Sequence, residues 1–594
     1  MPLKLAPQRV SAERKGDVWY LSSPQELHEP PRRLGDLLRR AAARAPERDF
    51  LVERRTGVLH RTTWKQALEA AEGIADWLVR EQPRDVRVAS LSGNSVDLAL
   101  LMLGCHLAGV PFVPISPAYS LLSQDFAKLR VVLDVVKPGV VFVDRPESFE
   151  RAIERSGLRE RATLLHDLRP LASRRAGGEL RVRESEIQPD DVAKILFTSG
   201  STGFPKGVLN THRMLCSNQQ MIAQCWPFLS EGQPPVLVDW LPWSHTFGGN
   251  HDFNMVLFHG GTLLVDEGRP TPAGIDATVA NLRELPPTLY FNVPAGYAAL
   301  VPKLESDDAF ARAFFQRLDV MFYAAAALPP DLWKRLTTLA AKWSEREVFM
   351  TTAWGSTETS PMATSTHFHV PSAGNIGLPA PGVTLKLVPS GNKVEVRVKG
   401  PSVMPGYLDE PDLTRAAFDD EGFYLMGDAV KFVDPERPEA GIAFDGRVAE
   451  DFKLSSGTWV SVTHVRTGVV AKAGGLLTDV VVCGHDRESL GLLAWPSIVG
   501  CRAVVGGERA LGELSTSETI LRRVHEVLAA WNADNPGGSM KIVRVLLLSE
   551  PPSSDAGEIT DKGYTNQHAC LERRRADVEE LFADPPSTRV LVLG

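Results

Sequence analysis

A run of glycines, hydroxyl side chains and one lysine at residues 198–207 is the strongest chemical signal in the chain, and it directly follows the strand-like run 193–197. Glycines let a backbone approach phosphate oxygens closely, and successive N–H groups form an anion nest to which hydroxyls add donors. A flexible surface turn is the alternative, but this composition after a strand favours a phosphate site. The residues expected to contact phosphate are Thr198, Ser199, Gly200, Ser201, Thr202, Gly203 and Lys206.

The run is not a Walker A loop. That motif places a lysine before serine or threonine, whereas Lys206 is followed by Gly207 and Val208. A P-loop nucleoside triphosphatase is therefore disfavoured.

The run instead resembles the phosphate loop of the adenylate-forming enzymes, which include acyl-CoA synthetases, adenylation domains of peptide synthetases and luciferases. Residues 354–358, Trp-Gly-Ser-Thr-Glu, resemble the family's aromatic-Gly-x-Thr-Glu motif. The resemblance implies that Trp354 and Gly355 lie beside the adenine, that Thr357 contacts phosphate in a catalytic role, and that Glu358 holds Mg²⁺. Carboxylate oxygen is the ligand that such a hard cation prefers. Without the other motifs, Thr-Glu would equally indicate a helix start.

Three further segments resemble family motifs that contact the nucleoside. Residues 323–328 stand where the family usually has Ser-Gly-Ala-Ala-Pro-Leu, which implies that Ala325 and Ala326 lie against the adenine. Tyr, Ala and Ala replace Ser, Gly and Pro there, which leaves the side-chain contacts to adenine open. Residues 424–428 end in Asp428, and residues 445–447 end in Arg447, at positions that bind the ribose hydroxyls in the family. A carboxylate can accept two hydroxyl hydrogen bonds at once, which suits a diol.

Residues 241–247 resemble the family segment whose histidine gates the acid pocket. His245 would be that catalytic and substrate-contacting residue, although a hydrogen-bonded core histidine is an equal alternative. The residues expected to line the acid pocket are His245, Phe247, Phe291, Tyr323 and Ala353. Aromatic walls suit an aryl ring but suit a fatty acid nearly as well.

The family's reaction has two steps, adenylation of a carboxylate by ATP and displacement of AMP by a thiol such as that of coenzyme A. A lysine near the C-terminus serves the first step, but Glu558 stands in its place here. We therefore expect Lys562 to serve adenylation, with Lys541 as the second choice and an inconsequential exposed charge as the bland alternative. After a rotation at 448–451, Lys453 and Gly457 would face the site and form the passage for coenzyme A.

The segments 449–460 and 558–564 resemble those of feruloyl-CoA synthases, which implies a hydroxycinnamate such as ferulate as substrate. Three alternatives stay open at this stage. The chain could use another aryl acid or a medium- or long-chain fatty acid, it could load the acyl group onto a carrier protein, or it could be an inactive nucleotide-binding protein.

Composition limits the remaining possibilities. With 594 residues the chain is too long for one compact core, and its net charge of -8 gives no reason to expect nucleic acid. Six scattered cysteines without a CxxC pair indicate reduced core thiols and a cytoplasmic location. Residues 98–115 lack charge, but glycines and prolines interrupt them, so we expect a buried helix and strand and no membrane span.

Alternating helical and strand-like runs predict an α/β fold with mostly parallel sheets. We expect a large adenylation domain over 1–447 that ends in a closing, barrel-like β subdomain, and a small mobile α+β domain over 448–594. The predicted elements are a helix over 34–44, strands over 86–92, 140–143, 236–241, 262–265, 480–483 and 543–548, a hairpin over 385–398, and a helix that follows a capping box at 515–518.

Overall fold

The phosphate-loop run belongs to a six-stranded sheet in the computed structural model, which describes residues 3–199, 204–559 and 565–593. All neighbouring strands are parallel except the first pair, and the inner strands are continuous apolar runs, as in a sheet covered on both faces. In spatial order the strands are Pro205–Thr211, Val192–Ser199, Phe112–Ile115, Val88–Leu91, Val140–Val143 and Thr163–Leu165.

The uncharged residues 98–115 fall in the buried helix Val96–Ala108, a turn and the strand Phe112–Ile115. The hydroxyl of Ser95 accepts a 3.0 Å hydrogen bond from the N–H of Leu98 and caps the helix, which ends at Gly109 with φ of 64°. Glycine adopts this left-handed conformation without a steric penalty. Within the described ranges, no helix has the length and apolar character needed to cross a membrane.

A second sheet has four strands and is parallel except for its last pair. Its strands are Val236–Asp239, Thr262–Val265, Asp49–Arg55 and Val58–Thr63. The helix Trp64–Glu81 follows, and Thr63 and Gln66 form a reciprocal capping box at its start.

The third sheet has eleven strands and is parallel only over its last three. In order they are Ser11–Lys15, Val18–Ser22, Thr384–Ser390, Lys393–Lys399, Tyr424–Phe432, Ile442–Arg447, Asn375–Pro379, Met362–Ser365, Phe349–Gly355, Val320–Tyr323 and Leu289–Asn292. The predicted hairpin over 385–398 is confirmed. The expected barrel-like closure is not formed in the described part of the chain, because these strands continue an open sheet with two separate edges.

Helices connect and cover the strands of this larger domain. They are Leu34–Arg44, Trp64–Glu81, Val96–Ala108, Ala118–Leu121, Ala127–Val136, Pro146–Ser156, Arg169–Ala172, Gly178–Glu186, His212–Cys225, Phe228–Glu231, Phe253–His259, Ile275–Glu284, Pro294–Ser306, Asp308–Phe315, Pro330–Trp343 and Pro411–Ala416, with a π-helical turn at Phe247–Asp252 and 3₁₀ turns at Leu158–Glu160, Thr357–Thr359 and Pro438–Ala440. The predicted bounds of the helix over 34–44 are confirmed.

A smaller C-terminal domain contains its own apolar clusters, which draw only on residues from Phe452 onward. Its strands are the hairpin Phe452–Lys453 with Trp459–Val460 and the sheet Leu477–Cys483, Leu490–Pro496, Ile542–Leu547 and Val590–Val592. Its helices are Val462–Lys472, Ile498–Val505, Leu511–Ser515, Glu518–Asp534, Gln567–Arg573 and Arg575–Leu581.

The predicted capping box at 515–518 is wrong. Ser515 ends the preceding short helix and donates its hydroxyl to the carbonyl of Gly512 at 2.9 Å. The long helix begins after Ser517, whose side chain makes no capping hydrogen bond. Ser515 is therefore committed to the turn behind it, because hydroxyls bond equally well to nearby carbonyls.

Candidate active site

The phosphate-loop hairpin brings Thr198 and Lys206 directly opposite each other on its two strands. Gly200, Ser201, Thr202 and Gly203, which join these strands, lie outside the described residues. The ammonium of Lys206 lies 4.6 Å from the ring centre of Tyr407, a cation–π contact. Hydrogen bonds from Leu408 N to Gly207 O (2.8 Å) and from Leu209 N to Gly406 O (3.2 Å) hold the segment of Tyr407 along this strand.

Tyr407 links the lysine to the expected metal ligand. Its hydroxyl donates to Oε1 of Glu358 at 3.2 Å and lies 3.5 Å from the hydroxyl of Tyr424. Burial, reinforced by the Glu358 carboxylate, raises the pKa of both tyrosines, so both remain protonated donors at neutral pH. The hairpin stem and the carboxylate are thus joined by one aromatic side chain.

The segment 354–359 is shaped by its glycine and its serine. A Cβ on Gly355 would lie 1.7 Å from the carbonyl oxygen of Pro361, so only glycine fits there. The Ser356 hydroxyl accepts from Glu358 N at 3.2 Å and starts the turn Thr357–Thr359. Thr357 and Glu358 are both buried. The Glu358 carboxylate fits Mg²⁺ as an oxygen donor, with nucleotide phosphates left to supply most of the coordination.

The three expected nucleoside contacts at Trp354, Asp428 and Arg447 are brought together. The indole Nε1 of Trp354 donates to Oδ2 of Asp428 at 3.0 Å, and Nε of Arg447 lies 3.0 Å from Oδ1 of the same carboxylate. Trp354 lies near the end of the strand Phe349–Gly355, and the parallel neighbour Val320–Tyr323 leads into Ala325 and Ala326. Ala325 has φ of 72°, an uncommon conformation for a residue with a Cβ that occurs mainly at functional sites.

Two of the expected acid-lining residues lie in one aromatic cluster. Phe247 and Phe291 have ring centres 6.5 Å apart, and each also contacts Phe322, at 5.6 and 5.1 Å. The ring of His251 contacts all three, from 5.1 to 5.8 Å. His245 is half-buried just before this cluster, and Ala353 is half-buried at the end of its strand. The side chains of Phe247 and Ala353 are half-buried, so part of each remains accessible to a bound acid.

Tyr323 does not join this cluster. Its ring packs edge-to-face against Trp333 at 6.1 Å, in a different hydrophobic cluster. Phe322 belongs instead to the cluster that contains Phe291. Successive strand side chains point to opposite faces, so only one of the two neighbours can contact Phe247. Sequence reasoning missed Phe322 and His251. The alternation of the apolar run 320–323 is the signal that offered Phe322 as the other choice.

His251 contacts Asp252, one of two neighbouring buried aspartates. Its Nδ1 lies 2.7 Å from Oδ1 of Asp252, while no described residue offers a hydrogen-bond partner to the buried Nε2. Burial lowers the pKa of His251 to about 3, so the imidazole is neutral at physiological pH. Burial also raises the pKa values of Asp239 and Asp252 well above the usual range.

The glutamate in place of the family's lysine is a structural ion. Glu558 is fully buried, and its oxygens lie 2.6 Å from both Arg573 and Arg574. Lys562 lies outside the described residues, but Ile559 and Thr565, the described residues on either side of it, form a β-bridge. A few residues earlier, Ser554 O accepts from Lys128 at 2.6 Å and Asp555 accepts from Gln124 N at 2.9 Å. The segment before Lys562 therefore contacts the larger domain.

The other three C-terminal candidates lie elsewhere. Lys541 lines a surface cavity with residues of the C-terminal domain such as His525 and Asn532. Lys453 lies over the Trp459 ring at 5.0 Å, and Trp459 packs beside Gly391 in the turn between the strands Thr384–Ser390 and Lys393–Lys399. Gly457 turns this hairpin with φ of 81°. None of these three is brought to the Trp354–Asp428 pair in this arrangement.

Comparisons with known proteins identify the family of this chain. The chain belongs to the AMP-binding enzyme family, whose match spans residues 38–408. It is 24% identical to the probable acyl-activating enzyme 16 of Arabidopsis thaliana over 86% of this chain and 80% of that one. It is 27% identical to benzoate–CoA ligase of Thauera aromatica over 69% and 75%. ATP-bound MatB from Rhodopseudomonas palustris superposes with a TM-score of 0.67 at 21% identity, covering 92% and 99%.

The predicted fold class and enzyme class are thereby confirmed. The fold is that of the adenylate-forming enzymes, with a larger N-terminal and a smaller C-terminal domain. The enzyme is an AMP-forming acyl-CoA synthetase, which joins an acid to a thiol. These relatives do not single out a hydroxycinnamate.

Proposed function

We propose that this chain activates a hydroxycinnamate such as ferulate as its acyl-adenylate and transfers the acyl group to coenzyme A. The observation that carries the adenylation step is the contact chain Lys206–Tyr407–Glu358 at the stem of the phosphate-loop hairpin. It places one cation and one buried carboxylate at the same end of the hairpin, as binding of a magnesium–triphosphate requires.

In the first step a carboxylate oxygen of the acid attacks the α-phosphorus of ATP. A carbon–oxygen–phosphorus anhydride forms, and the bond to pyrophosphate breaks. Lys206, Lys562 and the N–H groups of the phosphate loop offset the charge that accumulates on the phosphate oxygens. Bound Mg²⁺, held by Glu358, would neutralise further phosphate charge. Trp354, Ala325 and Ala326 hold the adenine, while Asp428 with Arg447 holds the ribose.

In the second step the sulfur of coenzyme A attacks the acyl carbon and AMP leaves, while the thiol proton is released. We propose a division into domains 1–447 and 448–594, with rotation near 448–451 between the steps. Supporting this division, the apolar clusters from Phe452 onward draw only on the C-terminal domain. Rotation would withdraw Lys562 and bring Lys453 and Gly457 to the site, where the glycine leaves room for the pantetheine arm.

The aromatic cluster supports an aryl acid. Three phenylalanines surround His251, and edge contacts of this kind suit an aromatic ring. A ring hydroxyl on the acid would supply the hydrogen-bond partner that the buried Nε2 of His251 lacks among the described residues. This favours a hydroxylated acid over an alkyl chain, which would leave the nitrogen unsatisfied.

Product analysis tests this proposal. The full chain is incubated with ATP, MgCl₂, free coenzyme A and, in turn, hydroxycinnamates, benzoates and fatty acids, and products are identified by mass spectrometry. We expect AMP and the acyl-CoA thioester in equal amounts, with the highest kcat/KM for a hydroxycinnamate. A fatty acyl-CoA as the best product would overturn the substrate assignment. Adenylate formation without thioester would indicate that free coenzyme A is not the acceptor.

A further inference from the structure

A fully buried lysine lies on the stem of the phosphate-loop hairpin. Lys194 is 0% exposed, and its Nζ donates to the carbonyl of Gly249 at 2.9 Å and to Oδ1 of Asn250 at 3.1 Å. No carboxylate pairs with it among the described residues, and burial lowers the pKa of Lys194 to about 7. A methionine could fill a similar volume without this desolvation cost, so stability alone does not explain the lysine.

The side-chain amide of Asn250 connects both strands of the hairpin to the turn Phe247–Asp252. Lys194 and Asn210 are cross-strand partners in register. The Nδ2 group of Asn250 donates to Oδ1 of Asn210 at 2.8 Å and to the Thr246 hydroxyl at 3.1 Å, while its Oδ1 accepts from Lys194. The side chains of Lys194, Asn210 and Asn250 are fully buried. Hydrogen bonds in such surroundings hold their partners firmly, because an unmade bond cannot be replaced by water.

The segment held in this way carries the expected acid-binding residues. Asn250 lies in the π-helical turn that contains Phe247 and His251. This turn begins two residues after His245. The backbone there is tightly packed, since a Cβ on Gly248 would lie 2.4 Å from Leu241 O and one on Gly249 would lie 2.3 Å from Trp243 O. π-Helical turns are rare and occur mainly at functional sites.

The same hairpin face carries the residues expected to contact phosphate. Thr198 lies four residues beyond Lys194, and Lys206 lies four residues before Asn210. Strand side chains repeat every two residues, so each pair points to one face. The acid-binding turn is thus bonded to the face of the hairpin that holds Thr198 and Lys206.

We propose that Lys194 and Asn250 are positioning residues, which fix the acid-binding turn relative to the phosphate loop so that the carboxylate meets the α-phosphate. This inference rests on the proposed adenylation. The inference predicts a loss of rate with little loss of substrate binding. Each substrate can still bind its own side of the site when the connection is lost, but their mutual alignment suffers, and a displacement of about 1 Å can cost about 100-fold in rate.

The test uses Lys194→Met and Asn250→Asp in the full chain. The second variant keeps an oxygen for Lys194 but removes the donor to Asn210, so it carries the test if the first fails to fold. Gln224→Leu is the matched control, because this buried amide bonds only to the backbone of Glu26 and His28 and to Gln220. The probe acid is whichever acid the wild type turns over fastest in ATP–pyrophosphate exchange.

We expect kcat for exchange to fall about 30- to 100-fold in both variants. The KM values for ATP and acid should stay within about threefold, as should thioester formation from supplied acyl-adenylate. Gln224→Leu should lower Tm but keep kcat. Wild-type exchange with unchanged kcat in both variants would overturn the positioning role alone, as would equal losses in every readout. Absence of exchange in the wild type would overturn the proposed function as well.

Discussion

Trp354 and Asp428 are joined by a hydrogen bond of 3.0 Å from the indole Nε1 to the carboxylate Oδ2. The bond connects the strands Phe349–Gly355 and Tyr424–Phe432, which are separated by three others in the eleven-stranded sheet. In the proposed site these side chains hold adenine and ribose, so their bond sets the spacing of the two subsites.

Trp354→Phe keeps an aromatic surface and removes this donor. We expect KM for ATP to rise about tenfold, since a hydrogen bond to a charged group contributes about 1.5 kcal/mol or more. KM for the acid should not change. Trp531→Phe, which removes an indole bond to Met540 O in the C-terminal domain, is the control. Equal KM values for ATP in the wild type and Trp354→Phe would remove this pair from the nucleotide site.

Substitutions at Glu358 and Tyr407 should weaken the binding of Mg²⁺. Loss of a residue that orients a metal ligand typically costs about 10- to 100-fold in metal affinity. Tyr407→Phe should therefore raise the half-saturating Mg²⁺ concentration about tenfold, and Glu358→Gln should raise it further. Glu395→Gln, which affects a carboxylate paired with Arg397, should have no effect. A Mg²⁺ titration of Glu358→Gln that matches the wild type would rule out its metal role.

Substitutions at the neighbouring residues Phe322 and Tyr323 should affect different properties, acid binding and stability. Phe322→Leu removes ring contacts to Phe247, Phe291 and His251, so KM for an aryl acid should rise about three- to tenfold. Tyr323→Leu acts on the Trp333 side of the strand, so it should lower Tm without changing that KM. Steady-state kinetics and thermal melts separate the two. A raised KM in Tyr323→Leu alone would reverse the assignment.

Lys562 is expected to act in one half-reaction only. Lys562→Ala should slow adenylation about 100-fold or more, as loss of one transition-state contact does, and leave thioester formation from supplied acyl-adenylate largely intact. Lys541→Ala should leave both half-reactions unchanged, because this residue lines a cavity within the C-terminal domain. The assignment fails if Lys562→Ala retains adenylation, and a slow Lys541→Ala would transfer the role.

Local patterns predicted much of the fold. The strand over 140–143 and the helix over 34–44 have the expected bounds, because each is a short apolar run or a regular apolar face with clear ends. The capping box failed because two serines and a threonine compete for neighbouring backbone groups, and tertiary context selects among them. The open eleven-stranded sheet depends on pairings between distant segments, which local patterns do not contain.

The site divides in the same way. Trp354, Asp428 and Arg447 belong to recognisable motifs, and the fold brings them together. Tyr407, Phe322 and Lys194 belong to none, and their importance arises from contacts across strands far apart in the chain. The phase of the strand Val320–Tyr323, which decides between Phe322 and Tyr323, depends on which face packs against Phe247.

Acid-dependent exchange of labelled pyrophosphate into ATP, measured without coenzyme A, tests the central claim most directly. Reversal of adenylation moves label into ATP only if an acyl-adenylate forms. We predict exchange that requires Mg²⁺ and an organic acid, is fastest with a hydroxycinnamate and persists without coenzyme A. No acid-dependent label in ATP with any hydroxycinnamate, benzoate or fatty acid would contradict the account.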